Sequence, residues 1–219
     1  MNPTSAALKM FSAKPPPFAE TDSTMRMIRH RQHSNIVVSP KTNTAIPAPT
    51  PIHRDLLIQS VLDPHVRSIE FVHQVVHGRQ TVDAKSVVLH RDDGHYLIDV
   101  VGARPHRNTE EEEALELGLR ARGIQRLEMD PDDIRREPRF GNARRIWEHR
   151  NYHPAVRDRE RIMDALYERG PQRIYELEDV VRASSDATSI VCSLACEDAV
   201  ELDIDSMALG PDTIVRNRR

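Results

Sequence analysis

The chain has 219 residues, 30% of them charged and 4% aromatic, with a formal net charge of −3. That length holds one ordinary domain plus a small second one, and so few aromatic residues leave a modest core. No apolar run approaches the ~20 residues of a membrane span and no secretory signal is visible, so the expectation is a soluble, reduced, cytoplasmic protein.

Charge is unevenly placed. Between Arg135 and Arg161 lie nine arginines and four acids, a local excess of five positive charges, and residues 1–50 carry six Lys or Arg against two acids. A slightly acidic protein can therefore present one basic face. Arg135, Arg136, Arg139, Arg144, Arg145 and Arg150 are the candidate phosphate contacts, since a guanidinium grips phosphate with a fork of donors.

Residues 1–38, with Pro15-Pro16-Pro17 and no periodicity, predict a disordered tail. Prolines at 47, 49 and 51 predict an extended arm before the first helix, which is expected from His53 with Leu56, Leu57, Val61 and Leu62 on one stripe. Asp63-Pro64 ends it. Val66 to Val76 alternates as a strand, Gly78 turns, and residues 81–101 predict a hairpin turned at Asp93-Gly94. Thr109 before Glu110-Glu111-Glu112-Glu113 reads as a helix cap with carboxylates on the positive end of the dipole. That helix should face Ala114, Leu117 and Leu119 inward and stop at Gly123, and Ile124–Met129 should be a strand.

From Asp130 the pattern turns helical, centred on Ile134, Ala143, Ile146 and Trp147, with further helices over 154–169, 174–181 and 186–197. Cys192 and Cys196 are spaced to share one face of the last helix, and without a second ligand pair they read as small core residues. Residues 200–204 and 213–215 alternate as a two-stranded ribbon. Three helices and a ribbon outline a winged helix-turn-helix, yet the helix in the recognition position has neither Lys nor Arg. His73 and His77 share a strand face and His90 and His95 flank the turn. With no third and fourth ligand at standard spacing they are expected to be surface histidines.

Several segments in this order resemble a known family. Ser39-Pro40-Lys41, Leu62-Asp63-Pro64-His65-Val66, Phe71-Val72-His73-Gln74, Thr81-Val82-Asp83 and Tyr96-Leu97-Ile98-Asp99-Val100 are similar to successive motifs of the TnsA endonuclease family, the 5′-strand-cutting subunits of heteromeric transposases. The resemblance runs from about Ser39 to the C-terminus. It implies an α/β fold, a restriction-endonuclease-like mixed sheet flanked by helices over 39–132, followed by a small winged-helix-like helical domain over 133–219.

The same resemblance implies a metal centre on adjacent strands. Asp83 and Asp99 would bind Mg2+ or Mn2+, and a glutamate and a lysine would complete the site. The glutamate position falls at or beside His53, an alternative ligand, and the lysine position is Val101, which can neither hold phosphate nor move a proton. Lys85 could replace the lysine. The expected function is a catalytically impaired, DNA-binding accessory subunit with a transposase- or integrase-type partner and no small-molecule cofactor. The alternatives are an active endonuclease using Asp83, Asp99 and Lys85, and a winged-helix transcriptional regulator.

Overall fold

A computed structural model describes residues 35–182 and 185–218. Of the tail expected over 1–38, residues 1–34 lie outside the described residues. The proline-rich arm is folded into a small antiparallel pair, β1 (Ile36–Val37) with β2 (Ile46–Pro47). The first helix, α1 (Pro51–Leu62), starts two residues before the expected His53. Thr50 accepts the His53 N–H, and Pro51 suits the first helical position, where no backbone N–H is needed. Every residue from Leu56 to Leu62 is buried, so α1 is enclosed on all sides instead of showing one apolar stripe.

Four strands form the main sheet in the order β3 (Val66–His77), β4 (Gln80–Arg91), β5 (Gly94–Val100), β6 (Ile124–Met129). The first three are antiparallel, and β6 runs parallel to β5. A parallel neighbour requires a crossover, supplied by α2 (Thr109–Arg120). The hairpin loop is Asp92-Asp93, with Gly94 already paired to Arg91, one residue earlier than expected. Asn108, not Thr109, caps α2, accepting the Glu111 N–H while the Glu111 carboxylate takes the Asn108 N–H. Leu117 points outward and Leu115 takes its expected place against the sheet. Gly118 lets α2 close on β3, since a Cβ there would lie 2.5 Å from Val75 Cγ1.

The helical part comprises α3 (Pro131–Ile134), α4 (Arg139–Glu148), α5 (Val156–Arg169), α6 (Ile174–Glu178) and α7 (Ala187–Cys196). Its ribbon has three strands, not two, in the order β7 (Gln172–Arg173), β9 (Ile214–Asn217), β8 (Val200–Leu202). Eight of the ten residues of α7 are buried, so this helix is the centre of the module. Cys192 and Cys196 are buried within it, and burial pushes both thiols up to about 12.

Two apolar clusters hold the fold together. A smaller one packs Ala114, Leu115 and Leu119 of α2 onto Val75, Val82, Ala84, Val88 and Leu97. The larger covers the other face of the sheet, joining Ile69, Ile98 and Val100 to Leu57 of α1, Ile146 of α4 and Ile190 of α7. The expected division near residue 132 marks a change from sheet to helices with no break in this core. Among the described residues no helix is long and apolar enough to cross a membrane.

Candidate functional site

Asp83 and Asp99 are set by the register of the sheet. Val82 and Ala84, on either side of Asp83, pack under α2, so Asp83 points to the other face. Leu97 also packs under α2, and Asp99, two residues on, points the same way as Leu97. The two carboxylates therefore lie on opposite faces of the sheet and do not converge on one ion. This departs from the pocket expected of them.

Each aspartate has its own partners. On β4, Lys85 Nζ lies 2.6 Å from Asp83 Oδ2 and Gln74 Nε2 donates to Asp83 Oδ1 at 2.9 Å. The Lys85 ammonium, then the Gln74 amide, hold the Asp83 carboxyl below its ordinary value. Lys85 reaches Asp83 through a bulge. Its φ is 45°, and the β3–β4 register slips between Val72 and Gln74. Lys85 serves Asp83 and not Asp99. His53 lies in the first turn of α1 with its Nδ1 2.7 Å from Thr50 Oγ1, and burial lowers its pKa. It is a helix-start residue whose ring partner is Thr50 and not an aspartate.

Asp99, 2% exposed, is surrounded by arginines. Arg126 Nε donates to its Oδ2 at 2.8 Å, with a second bond from Nη2. Arg104 Nη1 donates at 3.2 Å, and Arg107 Nη1 lies at 3.7 Å. Glu112 and Glu116 of α2 and Glu128 of β6 close the network around Arg126. Burial alone would lower the Arg126 pKa, yet Asp99 and Glu112 hold it above its ordinary value. Guanidinium charge thus stands beside Asp99 Oδ2 where a metal ligand set would place a cation. Arg107 does a second task. It donates from Nε to the Asp83 carbonyl at 2.9 Å and from Nη2 to that of Ala84 at 3.3 Å, in the part of β4 beyond the β5 ladder.

The six arginines proposed for phosphate are largely engaged with the protein. Arg135 pairs with Asp55 at 3.0 Å, Arg136 with Asp133, and Arg139 with Asp63 at 3.2 Å and Asp205 at 3.1 Å. Arg145 donates to the Leu209 carbonyl at 2.8 Å, and Arg150 donates to Trp147 O and lies over its ring. Arg144 stacks on Phe140 with its guanidinium carbon 5.5 Å from the ring centre. Arg136 is 76% exposed, and Arg144 is also exposed, its stacking on Phe140 lying within α4. Arg135, Arg139 and Arg145 thus fasten this segment to distant parts of the chain, while Arg136, Arg144 and Arg150 make local contacts.

One charged cluster lay outside the expectations drawn from sequence. Lys41, 1% exposed, donates to the Asp63 carbonyl at 2.7 Å and pairs with Asp198 at 3.2 Å. Arg218 pairs with the same Asp198 at 3.2 Å and with Glu201 at 3.1 Å. The cluster ties the arm, the Asp63-Pro64 corner and the last strand together. Ser39-Pro40-Lys41 marked the position, but the partners of Lys41 are more than 20 residues distant in sequence.

Among the described residues no group of three or more His, Cys, Asp or Glu side chains is placed to hold a metal ion. Comparison with protein-family models and with curated proteins gives no match to this chain.

Proposed function

We infer that the chain is a DNA-binding protein on a nuclease-type scaffold, without a working catalytic centre, that serves as an accessory or partner-binding subunit in DNA recombination. What supports the reading is the element order. A helix, three antiparallel strands, a capped crossover helix and a parallel strand precede a helical module with a three-stranded ribbon, the order that the TnsA resemblance implies. The observation that carries the loss of chemistry is Asp99, buried under Arg104, Arg107 and Arg126 while Asp83 faces away with Lys85. Phosphodiester hydrolysis needs carboxylates gathered on one ion beside the scissile phosphate, and this arrangement divides them. The reading requires neither Mg2+ nor Mn2+.

The regulator alternative loses its reading element, because α7 is buried along its length and only Thr188 and Ser189 are part-exposed. DNA recognition falls instead to the phosphates, through Arg136 and Arg144. Fluorescence anisotropy on a short duplex across a salt series tests this. Binding should weaken with salt equally for unrelated sequences. The double variant Arg136→Ala, Arg144→Ala should flatten the log–log slope by about 0.9 for each phosphate no longer neutralised. Binding that is absent at low salt, or a slope unchanged in the variant, contradicts the proposal. An integrase-type transposase is the partner expected.

A further inference from the structure

The turn end of the β4–β5 hairpin carries a pair of imidazoles that take no part in the Asp99 network. His90 and His95 are cross-strand partners, and their Nδ1 atoms face each other at 2.9 Å. The ring centres are 4.8 Å apart and the planes meet at 67°. Two imidazole nitrogens each about 2.0–2.1 Å from one metal, in neighbouring positions of its coordination sphere, are separated by about 2.9–3.3 Å. The observed spacing is at the short end of that interval. His90 also presents its Nε2 3.5 Å from Glu70 Oε2, on the adjacent strand. A carboxylate on the far nitrogen is the arrangement that fixes a ligating histidine's tautomer and orients its ring toward the metal.

We propose that His90 and His95 form a two-histidine site for a borderline divalent transition-metal ion such as Zn2+, Ni2+ or Cu2+, with Glu70 as the positioning residue and water filling the remaining coordination positions. The ion class follows from the donors, because imidazole nitrogen favours these ions over Mg2+ or Ca2+. Binding moves the proton of the donating Nδ1 to solvent while solvent returns one to the Nε2 of the same ring, so that both imidazoles ligate as neutral rings through Nδ1. The site is distinct from the Asp99 network. Asp99 lies four positions beyond His95 on β5, about 13 Å along the strand, so its test is independent of any nuclease scaffold.

The probe is Zn2+ alone, titrated calorimetrically into the full chain. One ion should bind, and His90→Ala and His95→Ala should each weaken binding at least tenfold. Glu70→Gln should weaken it a few-fold with both histidines present. In the wild-type protein, nitrogen-15 spectra of the imidazoles should show Zn2+ moving the Nδ1 resonances of these two residues ahead of the other histidines. That second readout does not depend on a variant folding. Zn2+ binding that persists in both alanine variants, no binding by the wild type, or Nδ1 resonances that stay put would each overturn the assignment.

Discussion

At the residue scale, the decisive side chain is Asp99. Its carboxylate offsets three guanidiniums, of which Arg107 is as buried as Asp99 itself, at 2% exposure. Removing one partner from a buried charged network leaves the rest uncompensated, which costs far more than losing a surface pair. Asp99→Ala should therefore destabilise the fold by about 3–5 kcal/mol, read from urea unfolding, whereas Asp83→Ala should change stability little because its pairing is solvent-exposed. Equal effects would contradict this ranking. Acid sensitivity follows from another carboxylate. The Ser185 hydroxyl and then the Arg182 guanidinium hold the Asp158 carboxyl, itself 1% exposed, below its ordinary value. A depressed folded-state pKa means that the unfolded chain binds protons first, so this stability is present above about pH 4 and lost as pH falls through the folded value. Thermal unfolding from pH 6 to pH 2 should show that acid limb, and Asp158→Asn should flatten it.

At the element scale, α2 approaches β3 closely at Gly118. Gly118 has helix-compatible backbone, so Gly118→Ala would gain helix propensity of about 1 kcal/mol were the site open. The added methyl meets Val75 Cγ1 at 2.5 Å, and a β-branched side chain has few rotamers in which to retreat. The net result should be destabilisation of about 1–3 kcal/mol, measured by chemical denaturation. A stabilised variant would show that α2 shifts freely on the sheet. The limits of α2 were readable from its acidic first turn. Its cap was displaced by one residue because Asn108 is a better Ncap than Thr109 and Glu111 sits three residues beyond it. The bulge at Lys85 was not readable, since nothing in a lysine signals a φ of 45°. Nor was the Asp99 network, whose partners come from an irregular loop and from a strand 27 residues away.

At the scale of the whole molecule, the succession of mixed sheet and helical module was legible from periodicity and caps, and its order matches the expectation. The separation of the two aspartates was legible only in part. The two-residue hairpin loop pairs Val88 with Leu97 and so fixes the face of Asp99, but the bulge at Lys85 lies between that ladder and Asp83. Adjacency of strands had suggested one pocket, and register decides against it. The basic run likewise looked like a DNA face, whereas packing turned most of its arginines to partners such as Asp55, Asp63, Asp205 and the Leu209 carbonyl. The sheet divides Asp83 from Asp99, and the proposed accessory role rests on that division. The direct measurement is nicking of supercoiled plasmid in Mg2+ and in Mn2+ by the full chain, with and without an integrase-type transposase. The account predicts no strand cutting by this chain in either metal. Cutting by the wild type that disappears in both Asp83→Ala and Asp99→Ala would contradict it.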